Sequence, residues 1–337
     1  MTMSRTTLDP TLDGDAFVPA TERRLEASLG LDAMSTVELL RLLTTQDRIA
    51  VDAVDAAVPV IAELVEIAAA SILHGGAVHY FGAGTSGRLA VLDAAELLPT
   101  FNLEPDIVVA HIAGGDRALV QAVEDAEDSV TEGRQAAAGL GPNDVAIGLT
   151  ASGNTPYVGG ALKAAREAGA HTVLVSCNSE ASLARLADTI IVLETGAEVV
   201  TGSTRLKAGT AEKLMLNGFS TALMVAIGRT WSNLMVSIVA TNEKLRRRTV
   251  RILMQATHLD EARSRALLDE TGGDLKAAIV ASVAAVSVDA ARQTLATARG
   301  SVRDALTLLD TVHTNLTRTP AHPDPRSITS TPEGETK

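Results

Sequence analysis

The run Tyr80-Phe-Gly-Ala-Gly-Thr-Ser-Gly-Arg88 constrains this chain more than any other stretch. Its first residues are apolar and read as the end of a buried strand. Gly82, Gly84 and Gly87 then make a turn, and Leu-Ala-Val-Leu-Asp-Ala-Ala-Glu96 reads as a helix. A strand, a glycine-rich turn and a helix amino terminus in that order form an anion site, because the backbone comes close and free N–H groups point at the ligand. The hydroxyls of Thr85 and Ser86 add donors and tilt the reading from a dinucleotide to a phosphorylated small molecule. The spacing is close to G-x-G-x-x-G, but a dinucleotide fingerprint wants an acidic residue roughly 20 residues on, and Asp116 comes about 10 residues later than that.

A second loop has the same character. Asp144-Val-Ala-Ile-Gly-Leu-Thr-Ala151 reads as a buried strand that runs into Ser152-Gly-Asn-Thr-Pro-Tyr157 and a helix. Pro156 suits a first helical turn, where its missing N–H costs nothing. Thr150, Ser152, Asn154 and Thr155 therefore cluster at a helix start, where any one of them alone reads equally as a cap. Two such loops in one parallel sheet open onto the same carboxyl edge. A third candidate is the hydroxyl-rich loop Gly196 to Lys213, which holds Ser203, Thr204, Arg205 and Lys207 before a helix over 208–226. It reads either as anion-facing or as an exposed loop with solvated cations.

Strand-like runs recur near Val78–Phe81, Ile107–Ile112, Val145–Leu149, Thr172–Ser176 and Ile190–Leu193, with helical patterns between them. This alternation predicts an α/β fold with a doubly wound five-stranded parallel sheet. Before it, Ser35-Thr-Val-Glu38 has capping-box spacing, and an apolar helical region runs from Gln46 to Leu73. Beyond residue 250 come short helices with glycine turns, and Asp260–Ile279 is partly echoed in Val288–Leu306, as in a small repeated helical module. The expected division is a flexible arm over 1–20, N-terminal helices over 21–54, the α/β domain over 55–250, the helical module over 251–312 and a proline-bearing disordered tail over 317–337.

A net charge of −12 and 2% aromatic residues argue against nucleic acid as a partner, since nucleic acid selects basic faces and stacking platforms. An acidic protein that binds phosphate must do so through local potential, which helix termini supply. The single cysteine, Cys177, excludes an internal disulfide and reads as a small core residue. The histidines form no H-x-x-x-H pair, so no metal site is expected. No uninterrupted apolar run of about 18 residues is seen, and the first residues lack the apolar core of a signal peptide. The expectation is a cytoplasmic protein with no membrane partner.

The glycine loop with Leu92-Asp-Ala-Ala-Glu96, the acidic run Val123-Glu-Asp-Ala-Glu-Asp128, the loop Ala151–Tyr157, the stretch Gly196–Lys213 and Thr241-Asn-Glu-Lys-Leu245 together resemble the sugar isomerase (SIS) domain family. Within it, they resemble the N-acetylmuramic acid 6-phosphate etherases, over roughly residues 20–310. Gly196–Lys213 is similar to a signature shared with glucokinase regulatory protein, and the C-terminal module is similar to a ubiquitin-associated-type helical fold. The resemblance implies a carbon–oxygen lyase of peptidoglycan recycling that cleaves the C3 lactyl ether of a phosphorylated amino sugar, with no cofactor. It implies Glu96 as the acid for lactate departure and Glu127 as the second catalytic glutamate. Read from chemistry alone, Glu96 equally suits a solvated helix face and Glu127 an exposed charge run with Glu124, Asp125 and Asp128.

By the same resemblance, Thr85, Ser86, Ser152, Asn154, Thr155, Ser203, Thr204 and Lys207 are expected to bind the sugar phosphate. Arg88, Arg205 and Lys207 are expected partners for the lactyl carboxylate, and His258 is taken as a surface residue. A homodimer with the site near the subunit boundary is expected, because the long apolar helical region needs a partner surface. Two other readings stay open: a sugar-phosphate-sensing regulator, disfavoured because the chain has room for one such domain rather than two, and an aldose–ketose isomerase.

Overall fold

The computed structural model describes residues 19–240 and 242–317. The expected arm and tail therefore lie outside the described residues, apart from residues 19, 20 and 317, as does Thr241. The chain forms two compact units that divide between Val239 and Ala240.

The first unit is built on β1 (Val78–Gly82), β2 (Val108–Ile112), β3 (Val145–Leu149), β4 (His171–Ser176) and β5 (Thr189–Val192), which form one parallel sheet in the order β2-β1-β3-β4-β5. The helices are α1 (Thr36–Leu73), α2 (Gly84–Phe101), α3 (Arg117–Val120), α4 (Val130–Ala136), α5 (Pro156–Glu167) and α6 (Lys207–Ala226). The chain leaves β1 towards β2 in one direction and β3 towards β4 in the other. Right-handed crossovers then place the connecting helices on opposite faces, and the point of reversal lies between β1 and β3.

Strand alternation builds the two cores. Tyr80, Ile147 and Val175 pack with Leu64 of α1, Leu97 of α2 and Phe219 of α6. Phe81, Ala146 and Leu174 point the other way and pack with Tyr157, Val158 and Leu162 of α5. Being covered on both faces is why the strands read as nearly continuous apolar runs.

Before the sheet comes a single helix of 38 residues, α1, rather than separate helices meeting near residue 54. Ser35 and Glu38 form the expected capping box, and Pro59 sits inside the helix. Contrary to the expectation from uninterrupted runs, α1 is long and apolar enough by length and composition to cross a membrane. Ala50, Leu64 and Ala68 are fully buried in the sheet's core, so one side of the helix serves packing, while Val51 and Val58 stay about half exposed. A short antiparallel hairpin, β6 (Thr230–Trp231) with β7 (Leu234–Met235), was not anticipated, being too short to show a period.

The second unit holds α7 (Glu243–Thr257), α8 (Glu261–Glu270), α9 (Leu275–Val283), α10 (Val288–Thr297) and α11 (Val302–Thr317). The expected domain boundary at residue 250 falls inside α7, which packs on α8 and α9. Side chains of Asn242, Asp260, Asp274 and Ser287 each accept a backbone N–H in the first turn of the helix that follows. Such caps satisfy donors that a helix start otherwise leaves open. One constant offset maps Asp260 to Ser287, Leu268 to Leu295, Gly273 to Gly300 and Asp274 to Ser301. The Gly273→Leu268 and Gly300→Leu295 backbone hydrogen bonds, each 2.7 Å, repeat with it.

On the second face of the sheet, α4 and α5 meet backbone to backbone. A Cβ on Gly160 would overlap the Val130 carbonyl of α4, and one on Gly133 would overlap the Tyr157 carbonyl of α5. Helix backbone cannot yield as a side chain can, so Gly160→Ala is expected to cost about 2–3 kcal/mol, the upper part of the overpacking range. Urea unfolding would read this as a lower midpoint at unchanged slope. A midpoint equal to the wild type's would mean that the helices separate freely.

Candidate active site

The carboxyl ends of β1 and β3 lie side by side, with Gly82 in register with Leu149. This brings the first two sequence loops to one edge. In the first loop, Gly82 and Gly87 approach each other: a Cβ on Gly82 would lie 2.7 Å from the Gly87 nitrogen. The close backbone contact that these two glycines permit is thus between strand and helix. Gly84 supplies the left-handed turn, with φ of 53°. α2 then begins with no side-chain cap at Ala83. Thr85 is partly buried, Ser86 is buried, and the Ser86 hydroxyl donates to Glu212 Oε1 of α6 at 3.0 Å.

In the second loop the hydroxyls are mutually bonded. Thr150 Oγ1 lies 2.7 Å from Thr155 Oγ1 and 3.3 Å from Ser152 Oγ. Thr155 precedes α5 but makes no side-chain cap, so the first-turn N–H groups of α5 remain open. Asn154 is turned to a structural task, its Oδ1 accepting the Ser182 N–H at 3.0 Å.

The third loop is anchored from within. Glu198 is fully buried and accepts the N–H groups of Lys207 and Ala208, at 3.3 and 2.9 Å. It therefore caps α6 and occupies the place an external anion would take. Burial raises the Glu198 carboxyl above its usual range, and these donors oppose that. Lys207 is buried too, 2% exposed, and its ammonium donates to Gln46 of α1 at 2.8 Å. Desolvation lowers its pKa, against the pull of Glu198 and Asp47. Arg205 is exposed, while Ser203 and Thr204 are half-buried. The start of α6 abuts the first loop, since a Cβ on Gly209 would touch the Thr85 methyl at 3.2 Å.

A cavity of about 200 Å³ opens beside the first loop and is lined by Gly84, Arg88, Val123, Asp125 and Glu127 among others. The Arg88 guanidinium donates to the carbonyls of Leu119 and Gln121, at 3.2 and 3.0 Å, and so ties α2 to the end of α3 and the residue that follows it. The acidic run forms a short 3-10 turn over Ala126–Asp128, entered through Asp125 at φ 61°, rather than a helix face. That turn carries Glu127 to the cavity. Glu96 is exposed on α2 and is not among the cavity's lining residues. It stands twelve residues beyond Gly84, about 18 Å along the helix. One chain thus brings Glu127, Arg88 and the glycine loop together and leaves Glu96 apart. His258 is exposed in the second unit, where it ends α7 in the left-handed region.

Sequence reasoning missed a polar seam between α2 and α6. Asp93, buried on α2, accepts from Tyr80 of β1 at 3.0 Å and from Ser220 of α6 at 2.9 Å. Burial pushes its carboxyl up to about 6. Glu212, 1% exposed, is pushed by burial to about 7. The available signal was two carboxylates on otherwise apolar helix faces, in Leu92-Asp-Ala-Ala and Ala211-Glu-Lys-Leu. Among the described residues no group of three or more metal-ligating side chains is found.

Residues 60–166 match the family model described as glucokinase regulatory protein N-terminal SIS domain. A protein of Thermobifida fusca named N-acetylmuramic acid 6-phosphate etherase is 52% identical over 260 residues, which cover 77% of this chain and 86% of that protein. An Exiguobacterium protein of the same name is 48% identical, over 85% of this chain and 98% of its own length. Among solved structures, a phosphoheptose isomerase from Francisella tularensis aligns with 57% of this chain and 100% of its own, at 20% identity and a TM-score of 0.44.

The buried Asp93 carboxyl makes stability depend on pH. Its folded pKa, about 6, lies above the ordinary value of 3.8. The folded state therefore holds a proton that the unfolded chain loses first, and stability falls as pH rises from about 4 through about 6. Asp93→Asn removes this dependence. The stability difference between variant and wild type should move in the variant's favour by about 2 kcal/mol between pH 4.5 and 7.5, whatever its starting offset. Paired urea titrations at the two pH values measure it. A constant difference would show that Asp93 titrates as it does in the unfolded chain.

Proposed function

The chain belongs to the N-acetylmuramic acid 6-phosphate etherase family, an enzyme family of carbon–oxygen lyases, and from that premise we propose that it converts N-acetylmuramic acid 6-phosphate to N-acetylglucosamine 6-phosphate and D-lactate. The observation that carries the reading is the cavity at the carboxyl edge of the sheet, where the Glu127 carboxylate shares a wall with the uncapped start of α2 and with Arg88.

The proposed phosphate contacts are the hydroxyls of Ser86, Ser152 and Thr155 at the starts of α2 and α5. Both helices offer open first-turn N–H groups and a positive end. Thr85, Ser203 and Thr204 contribute around this centre, and Asn154, with its amide held by the Ser182 N–H and the Ser152 carbonyl, would reach substrate only by exchanging those partners. Lys207, hydrogen-bonded to Gln46, reaches substrate only by exchanging that partner. Arg88, which lines the cavity while Arg205 does not, is assigned to the lactyl carboxylate, with Nη1 as the nitrogen not given to the Leu119 and Gln121 carbonyls.

The chemistry starts from the ring-opened sugar, whose aldehyde acidifies the C2 proton by spreading the resulting charge onto the C1 oxygen. A base removes that proton, and Glu127 is assigned this role. The electron pair forms the C2–C3 double bond as the C3–O bond breaks. Glu96 is assigned to protonate the departing lactate oxygen, because an ether oxygen leaves poorly as an alkoxide. Water then adds its oxygen to C3 and a proton to C2 of the unsaturated aldehyde. No step requires a metal or an organic cofactor.

The same reading calls for a homodimer. Val37, Leu40, Val51 and Val58, about half exposed, recur along one side of α1, and Leu92 of α2 is about half exposed as well; large apolar side chains left open in this way suit an interaction face. Leu92 stands one turn before Glu96 on the same side of α2. A second chain laid on this face covers Glu96, and the separation of Glu96 from Glu127 within one chain is resolved if each site draws the two carboxylates from different subunits.

Two experiments test this. In Glu96→Gln, lactate release should fall by roughly 10²–10⁴, the scale of general acid catalysis, while exchange of the C2 hydrogen with deuterated water persists. Near-normal lactate release would remove the acid role. Glu96→Gln and Glu127→Gln chains, co-expressed with different tags, should form mixed dimers that carry one intact site. A statistical mixture then regains about a quarter of wild-type turnover. Recovery of none would place both carboxylates in service to one chain.

A further inference from the structure

We propose that Glu212 is a positioning residue that governs binding of the phosphate group through Ser86, by holding or releasing the single proton of that hydroxyl. This rests on the assignment of Ser86 as a phosphate contact given above.

A serine hydroxyl donates one hydrogen bond and accepts two. In the structure the Ser86 proton is already given to Glu212 Oε1, at 3.0 Å. A hydroxyl in that state presents lone pairs to an incoming phosphate oxygen, and lone pairs repel it. If Glu212 carries a proton, the bond reverses. The carboxyl O–H then donates to Ser86 Oγ, and the Ser86 proton is free for the phosphate. The ionised state has a second cost, since it leaves a buried carboxylate near a doubly charged ester in a site of low dielectric.

The surroundings of Glu212 suit it to such a switch. It is 1% exposed, and among the described residues its side chain takes one hydrogen bond, from Ser86. The charged and titratable groups on the elements packed around it include Asp47 on α1, Arg88, Asp93 and Glu96 on α2, Cys177 after β4 and Glu198 before α6, and of these Arg88 donates to the Leu119 and Gln121 carbonyls. Of the lysines on its own helix, Lys207 donates to Gln46 and Lys213 to Asn217. Among the described residues no cation donates to Glu212. Burial without a counter-charge favours the protonated form, which is why this carboxyl titrates at about 7, where a modest change in pH changes its state. A residue that only held α2 against α6 would be served equally well by an amide or a hydroxyl. A carboxyl facing the phosphate-binding hydroxyl makes ligand affinity depend on its protonation.

Equilibrium binding of N-acetylglucosamine 6-phosphate, measured from pH 6 to 9 on the full chain, tests this in wild type, Glu212→Gln and Ser86→Ala. When one protonation state is competent to bind, the apparent Kd is divided by the fraction in that state, so the wild-type Kd should rise about tenfold per pH unit above pH 7. The amide introduced by Glu212→Gln donates at every pH, so that variant should match wild type near pH 6 and bind roughly 10- to 30-fold more tightly at pH 8.5. Ser86→Ala should bind weakly at every pH without the upward slope. A wild-type to Glu212→Gln ratio that stays constant across the range would overturn the proposal. Ser86→Ala binding as tightly as wild type would instead sink the phosphate assignment beneath it.

If Glu212→Gln folds poorly, proton uptake decides. At pH 8 the ester phosphate, with a second pKa of about 6, is already a dianion. Calorimetry of the wild type in buffers of different ionisation enthalpy should then show close to one proton taken up per site, and no uptake in Ser86→Ala. Absence of uptake by the wild type would overturn the proposal.

Discussion

The seam between α2 and α6 is the constraint on which the site depends. Glu212 binds Ser86 near its start, and Asp93 binds Tyr80 and Ser220 farther along. Hydroxyls rather than cations make these bonds, so each carboxylate is buried with little to offset its desolvation. Sliding α2 along α6 would strand two carboxylates without donors, and each loss costs more than an ordinary hydrogen bond is worth. The glycine loop is the start of α2. Fixing the helix fixes the loop, and the close Gly82–Gly87 contact locks it to the end of β1.

A net charge of −12 sets a second condition, because an acidic protein attracts an anion only through local field. Of the helices that start at or beside the carboxyl edge, the structure treats the three long ones, α2, α5 and α6, differently. α6 is closed by Glu198, which takes the N–H groups of Lys207 and Ala208. α2 and α5 have no side-chain cap. The two ends left open are those preceded by strand-following hydroxyl loops. The long third loop therefore serves chiefly as a scaffold, with its buried Glu198 and Lys207 holding the start of α6 against α1 and against Thr85.

The two units are stabilised by different means. The first depends on a sheet covered on both faces, with helices brought so close that Gly133 and Gly160 are needed at one contact. The second depends on short helices whose starts are capped in turn by Asn242, Asp260, Asp274 and Ser287. A repeated cap and a repeated glycine turn make a small module from little sequence, because each helix needs a neighbour only for its apolar face.

Local patterns in the chain were enough for the sheet. Five apolar runs of strand length, separated by helical periods and bounded by glycine, leave few arrangements other than a parallel sheet wound on both sides, and the strands lie within a residue or two of those runs. The hydroxyl loops, the capping box at Ser35 and the helical echo after residue 260 were legible for the same reason, since turns and caps are chosen by neighbouring residues. What lies between distant segments was not legible. That Glu212 meets Ser86, that Glu198 closes α6 and that Lys207 reaches Gln46 follow from the crossing of helices far apart in sequence, and no local period encodes a crossing. The acidic run 124–128 is exposed, as its charge suggests, but the left-handed turn at Asp125 makes it a short 3-10 turn instead of a helix face and puts Glu127 at the cavity rim. The long apolar helix α1 likewise has a composition that suits a bilayer or a core equally. Only packing of Leu64 and Ala68 against the sheet decides between them, because burial is a property of the assembled surfaces and not of the segment.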